Sequence, residues 1–379
     1  MQIGLYLHIP FCRQKCFYCD FASGHGTELL QQAYTKALCQ EIGQAGQRFA
    51  GDTIHTVYIG GGTPTALKSE FLRDIMEKLR DSFVLDEVIE FTVEANPGTV
   101  TQEKLELLKH FGVDRLSIGV QSFDDQLLKK IGRIHTAGDA FLAIAEARAA
   151  GFSNISMDLM YGLPGQTMEM LQKSVQTALT QGIEHISIYG LQIEEQTEFF
   201  ARRERGDLDL PSDELVDAMY EYMTKALPAA GYDRYEISNF ARAGFMSRHN
   251  MSYWQDKAYI GLGASAHSYY ENQRFFNVAE TNAYISRLMA GESPAEIEEE
   301  STKSILMEEF CFLALRTAQG IDTRAFLQKF GCSIDSVYGS NICSLQKKGL
   351  IVYSQRYLRL TELGMKYGNV VFSEFILEK

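Results

Sequence analysis

An α/β fold of six βα units, a barrel or an incomplete barrel, is what this sequence predicts, and three observations carry the expectation. Short β-rich runs alternate with helical periods through residue 206, no antiparallel signal interrupts them, and polar residues recur at the C-terminal ends of successive runs. Such alternation means parallel strands joined by right-handed helical crossovers, with a doubly wound sheet as the competing arrangement.

The runs, in order, are GLYLHI, HTVYIG, EFTVEA, RLSIGV, NISMDLM and HISIYGL. Between them, stretches such as LLQQAYTKALCQEIGQAGQRF and EKLELLKHFG carry apolar residues at helical spacing. These units make a first domain of residues 1–206. A helix over 212–228 then leads into GYDRYEISNFAR, RHNMSYW and YIGLGASAHSYY, which predict a β-containing extension over 207–295 that completes one side of the barrel. The acidic ESPAEIEEESTK reads as a solvated surface introducing a last module, 296–379. There helices precede LIVYSQRYLRLT, a hairpin pattern, and a final helical stretch: a winged-helix-like layout.

Hydrophobic residues make up 45% and charged residues 22% of the 379, which predicts a chain folded throughout. A net charge of −13 argues against a broad grip on nucleic-acid phosphates. No apolar run reaches the ~20 residues that span a bilayer, and no basic-then-apolar leader pattern is present. Seven cysteines, three of them clustered, suit a reducing compartment better than a disulfide framework. The chain is therefore expected in the cytoplasm, with peripheral membrane contact left open. Cys39, Cys311, Cys332 and Cys343 are widely spaced and read as small buried hydrophobes.

The chemistry concentrates after the first strand. In LYLHIPFCRQKCFYCDF, Cys12, Cys16 and Cys19 form a Cys-x3-Cys-x2-Cys run. Three thiolates can hold a [4Fe-4S] cluster and leave one iron open to a substrate or cofactor. A structural zinc site with His8 or Asp20 as fourth ligand is the alternative, although zinc loops usually group cysteines in two separated pairs. The second strand runs into Gly60-Gly61-Gly62-Thr63-Pro64, either a tight turn or a place where backbone groups approach a ligand. Glu94, Gln121 and Asp158 fall near the ends of the next three strands. Any one of them could simply terminate a strand, but three beside a cysteine loop point to a shared mouth. His249 lies four and five residues before Tyr253 and Trp254, so an imidazole that could ligate iron sits near flat rings, as a haem site requires. A hydrogen-bonded core histidine is the other reading.

Together, YLHIPFCRQKCFYCDF, GGGTPT, VEANP, IGVQSF, IGRIH and MDLMYGLPGQT resemble the radical S-adenosylmethionine (SAM) proteins related to oxygen-independent coproporphyrinogen III oxidase. Within that group, RHNMSYW is similar to the HemW-type haem chaperones. The resemblance implies a TIM-like partial radical SAM barrel in which Cys12, Cys16 and Cys19 hold a [4Fe-4S] cluster whose remaining iron chelates SAM. It implies that Tyr6 and Tyr18 lie beside that site and that Gly61, Gly62 and Thr63 receive the methionine moiety. Glu94, Gln121, Arg133 and Asp158 would contact the rest of SAM. In the family, electron transfer from the reduced cluster cleaves SAM to a 5′-deoxyadenosyl radical. It further implies haem as cargo, bound through His249 with Asn250, Tyr253 and Trp254 in support, and delivered to haem proteins such as membrane respiratory enzymes; a homodimer is left open. Two departures separate the chain from the oxidase. Phe21 stands where the oxidase has another cysteine, and only five residues precede Tyr6. They point away from porphyrinogen oxidation, which is kept as the alternative activity.

Overall fold

All six expected strands form in the computed structural model, which describes residues 1–298, 302–354 and 356–377. They are β1 (Gln2–Ile9), β2 (Thr53–Gly61), β3 (Glu90–Ala95), β4 (Arg115–Gln121), β5 (Asn154–Tyr161) and β6 (His185–Gly190). Each pairs in parallel with the next. The crossovers are α1 (Glu28–Arg48), α2 (Ser69–Ser82), α3 (Gln102–His110), α4 (Asp125–Lys130), α5 (Ala137–Ala149) and α6 (Met168–Thr180). Thr27, Thr101, Thr136 and Thr167 cap the starts of α1, α3, α5 and α6, each hydroxyl accepting from an N–H of the first turn.

A period of two sorts each strand. Leu5, Leu7, Val57, Ile59, Val93, Leu116 and Ile118 are at most 1% exposed and join the helices in one core. Burying a side chain of this kind contributes roughly 1.5–3 kcal/mol. The alternate positions are polar and stack in register inside the barrel. Thr56 pairs with Glu90, Tyr58 with Thr92, Thr92 with Arg115, and Glu94 with Ser117. The lumen is thus lined by groups able to bond a ligand or an inserted element.

The chain continues with α7 (Glu198–Glu204), α8 (Asp213–Ala229), β7 (Asp233–Arg234), β8 (Asn239–Ala241), α9 (Arg248–Trp254), β9 (Tyr259–Leu262), β10 (His267–Tyr270), β11 (Gln273–Asn277), α10 (Thr281–Met289) and β12 (Ala295–Ile297). Where the sequence predicts an extension along one side, the structure uses both edges. β8 and then β7 lie beyond β6, while β9 pairs in parallel with β1 and leads to β10, β11 and β12, giving a twelve-stranded sheet. The buried core runs without a break from Ile3 to Leu288.

The last module has its own core, from Met307 to Phe375. It comprises α11 (Lys303–Leu315), β13 (Ile321–Asp322), α12 (Thr323–Phe330), α13 (Ile334–Lys347), the hairpin β14 (Ile351–Ser354) and β15 (Tyr357–Leu360), α14 (Glu362–Lys366) and α15 (Gly368–Ser373). Its three strands are antiparallel, in the order β13-β15-β14, as a winged-helix-like layout requires. Part of the acidic stretch before it, 299–301, lies outside the described residues. Among the described residues no helix is long and apolar enough to cross a membrane.

Candidate functional site

The cysteine loop leaves the top of β1 and is closed at its base, where Cys12 N–H donates to Gly24 O (2.9 Å) and Gly24 N–H to Pro10 O (3.0 Å). Its middle is pinned from two sides. Phe17 N–H donates to Ile131 O (3.1 Å) and Phe17 O accepts from Phe199 N–H (2.9 Å). The Phe17 ring packs among Leu127, Leu128 and Phe199, with the Arg202 guanidinium 4.3 Å from its centroid. Cys12, Cys16 and Cys19 are reduced and half-buried. Burial pushes the Cys19 thiol up, and the neighbouring Cys16 and Cys12 push it further, so the three sulfurs share one electrostatic neighbourhood.

A chain of side chains ties this loop to the strand ends. Thr63 Oγ1 donates to Cys12 Sγ (3.5 Å) and accepts from Asn96 Nδ2 (2.8 Å). Asn96 Oδ1 accepts from Arg133 Nη1 (2.8 Å), and Arg133 Nη2 donates to Tyr18 Oη (3.0 Å). The sequence reading missed Asn96, which binds both Thr63 and Arg133; its place after Glu94 in VEANP was the available signal.

The glycine turn is built for close approach. A Cβ on Gly60 would lie 2.8 Å from the Glu94 carboxyl carbon, and one on Gly61, at φ +108°, 2.6 Å from the His8 ring. The turn's N–H groups are already engaged: Gly61 with Glu94 Oε2 (3.1 Å), Gly62 with Ile9 O and Thr63 with Phe11 O (both 2.8 Å). The Thr63 carbonyl also accepts from Ala66 N–H (2.9 Å), so what the turn retains for a methionine moiety is chiefly the Gly61 and Gly62 carbonyl oxygens, a narrower offer than the N–H and C=O pairing the sequence suggests.

Glu94 and Asp158 face the same mouth. Burial, with the charge of Asp158 adding to it, raises the Glu94 pKa to about 7 against the pull of Tyr58 and Gly61 hydrogen bonds. Burial also raises Asp158, opposed by Ser187, Arg115 and Arg133. Gln121 ends β4 at φ +66°, where the register slips after Gly119. A left-handed non-glycine residue costs on the order of 1–3 kcal/mol and is kept where its side chain is needed. Tyr6 donates to or accepts from His8 Nδ1 at 3.0 Å, and His8 Nε2 lies 3.0 Å from Ala22 O. Both His8 nitrogens are therefore engaged, which removes it as a ready fourth ligand for zinc.

His249 sits elsewhere, inside the barrel. Glu90 holds the start of α9, accepting from Arg248 N–H (2.8 Å), His249 N–H (3.0 Å) and Ser247 Oγ (3.2 Å). The imidazole is 1% exposed, with Nδ1 bonded to Thr56 Oγ1 (2.8 Å) and Nε2 to Tyr253 Oη (2.7 Å). It stacks on Tyr58 at 5.1 Å, and Gly4 leaves room for the Thr56 hydroxyl that it bonds, since a Cβ there would lie 3.1 Å from Thr56 Oγ1. This is the hydrogen-bonded core histidine of the two readings, and ligating iron requires release of one ring nitrogen. Asn250 and Trp254 share its short helix, and the Trp254 indole N–H is buried without a partner.

The donor set fits an iron–sulfur cluster and SAM: three reduced cysteines within eight residues, two carboxylates with raised pKa values, and a buried Arg133 Nε with no partner among the described residues, although no three side chains there are yet drawn together as a metal site. Residues 6–178 match the model of the radical SAM superfamily, and 302–366 match the HemN C-terminal domain. The chain is 42% identical to the haem chaperone HemW of Bacillus subtilis, over 98% of this chain and 99% of that one. It is 39% identical to the haem chaperone HemW of Lactococcus lactis, over 98% and 97%. The chain belongs to the HemW family. The solved structure of coproporphyrinogen III oxidase (HemN) from Escherichia coli has the same fold, with a TM-score of 0.88 at 23% identity over 99% of this chain and 90% of that one. Radical SAM membership implies a [4Fe-4S] cluster and SAM for HemW proteins. All twelve residues expected to hold those groups lie within the stretch matched to the superfamily, whereas His249 lies between the two matched stretches.

Proposed function

We propose that this chain is a haem chaperone: it binds a [4Fe-4S] cluster, SAM and haem, and delivers haem to recipient haem proteins, membrane respiratory enzymes among them. Its near full-length similarity to HemW chaperones carries the reading. In it, residues 1–206 form the cluster- and SAM-binding partial barrel, 207–295 the extension bearing His249, and 296–379 the C-terminal module. The protein works in the cytoplasm and meets membrane recipients at the surface.

Cys12, Cys16 and Cys19 hold the cluster, and Thr63 supports the Cys12 sulfur. When bound, the cluster supplies one open iron for SAM and an electron. Glu94, once deprotonated, accepts from ribose hydroxyls, and Arg133, fixed by Asn96 and Tyr18, presents its free Nε to an acceptor. Gln121 and Asp158 line the same mouth with Tyr6 and Tyr18, while the turn of Gly61, Gly62 and Thr63 would receive the methionine moiety, the two glycine carbonyls being the acceptors it would offer an amino group. Haem reaches His249 when Tyr253 releases Nε2.

Hemin titration into wild type and His249→Ala, with and without reconstituted cluster, tests the reading through the Soret band. Weaker binding by the variant supports it; identical spectra and affinities remove His249 as the ligand. Rapid turnover of coproporphyrinogen with SAM and a reductant would overturn the chaperone assignment.

A further inference from the structure

A large cavity lies on the side of the barrel facing the last module. Its volume is about 690 Å3, bounded by the C-terminal ends of β5 and β6, by α8, and by α14 and α15. That lies within the roughly 300–1,000 Å3 of sites that enclose small molecules. Met223, Phe240 and Phe372 give it apolar walls, while Tyr367 and Val370, 45% and 50% exposed, leave apolar surface uncovered at its rim.

Its cations are unevenly matched. Lys366 is neutralised by Asp217 at 3.0 Å. Arg234 donates only to neutral oxygens, the carbonyls of Glu236 and Ile237 and the Tyr220 hydroxyl. Arg316 lies 4.7 Å from the Trp254 ring centroid and 6.0 Å from that of Phe372, and its buried Nε has no partner. Burial lowers its pKa, and Glu236 offsets that only in part. Among the described residues neither guanidinium is hydrogen-bonded to a carboxylate, and both share the charge of one buried carboxylate, Glu236, so two cations face a single anion and leave a charge for an anionic ligand to match.

We propose that this cavity binds the flat ring of a tetrapyrrole dicarboxylate, with Arg234 and Arg316 taking the carboxylates and the apolar walls taking the ring. The proposal rests on the haem reading above and adds to it a seat for the ring apart from His249. Trp254, at the end of the helix that carries His249, contacts Arg316 and joins the two places.

The test uses the full chain without reconstituted cluster and three probes: hemin, metal-free protoporphyrin IX and its dimethyl ester. Val216→Trp fills the cavity from α8, and Arg316→Gln removes a cation that Arg316→Lys restores. Val216→Trp should weaken hemin and protoporphyrin binding by about tenfold or more, and Arg316→Gln by about tenfold, the scale of one lost charge-assisted hydrogen bond. Arg316→Lys should recover part of the loss, and the dimethyl ester should bind wild type and Arg316→Gln alike. His249→Ala should retain protoporphyrin binding, because a metal-free ring needs no axial ligand. Wild-type affinity in Val216→Trp, with an unchanged circular dichroism spectrum, overturns the cavity and leaves the haem reading standing. Wild-type affinity in Arg316→Gln overturns the carboxylate assignment. Absence of any hemin or porphyrin binding by wild type overturns both readings.

Discussion

Tyr58 donates a 2.7 Å hydrogen bond to Glu94 while its ring stacks on His249 at 5.1 Å. The residues proposed for SAM and for haem are therefore separated by a single side chain. A change in the charge of Glu94 is felt by the phenol, and a change in the position of His249 is felt by the ring above it. This contact gives a physical route by which occupancy of one place can alter the other.

The Glu94 pKa of about 7 sets a pH dependence. A carboxylate that accepts from ribose hydroxyls must be deprotonated, so SAM affinity should rise with pH through about 7 and fall by up to about tenfold per pH unit below it. Glu94→Gln should flatten the profile at weak affinity. Tyr58→Phe removes a hydrogen bond to the charged form and should move the midpoint to higher pH. Equilibrium dialysis of SAM between pH 6 and pH 8.5 measures all three, and a wild-type profile flat over that range would contradict the assignment.

Burial, reinforced by Arg115, depresses the His249 pKa from 6.5 to about 3. The unfolded chain then binds more protons between those values, so the stability from burying a neutral imidazole is complete above pH 6.5 and is lost as pH falls toward 3. Between pH 6.5 and pH 5 the loss should be about 1.6 kcal/mol, because the slope reaches its full value of about 1.36 kcal/mol per unit only well below pH 6.5. Urea unfolding at both pH values should show this loss in wild type beyond any seen in His249→Gln, and equal losses would mean that the imidazole is protonated in the folded chain.

Asn96→Ala breaks the connection between the cysteine loop and Arg133. Thr63 loses a donor and Arg133 Nη1 loses its acceptor, and leaving such buried groups unpaired costs about 1–3 kcal/mol. The variant should unfold at lower urea and take up less iron and sulfide on anaerobic reconstitution, while Asn96→Asp, which keeps the acceptor, should retain more of both. Wild-type stoichiometry in Asn96→Ala would show that the chain of bonds does not hold the loop.

The strands, their parallel order and the strand-end residues were legible because they repeat with short periods: apolar residues every second position, and polar ones at the same end of each run. The cysteines were legible as a local spacing. Asn96 was not, because its role comes from contacts to residues 33 and 37 positions away. The interior place of His249 was hidden for the same reason. Thr56 and Glu90, on two different strands, decide where its ring goes, and nothing in RHNMSYW encodes their convergence. The alternation of polar residues within the strands, Thr56 with Tyr58 and Glu90 with Thr92, was the one sign that the lumen would receive a polar element.

Glu41 on α1 tests how the extension is fastened to the barrel. Its carboxylate is 7% exposed and accepts from Gly263 N–H (2.7 Å), Asn277 Nδ2 (2.7 Å) and the Tyr284 hydroxyl, which lie near β9, on β11 and on α10. Burial raises its pKa and these three bonds oppose the rise, so among the described residues the carboxylate is held by its donors and by no cation. Glu41→Ala leaves three buried donors without an acceptor and should cost roughly 3 kcal/mol or more. Glu41→Gln keeps one acceptor oxygen but turns an NH2 group toward donors, and should cost roughly 1–2 kcal/mol. Because the lost bonds all reach the extension, limited proteolysis of Glu41→Ala should cut first between residues 255 and 298 while β1–β6 stay protected. Uniform cleavage along the chain would mean instead that extension and barrel unfold as one unit, as their continuous core from Ile3 to Leu288 would also allow.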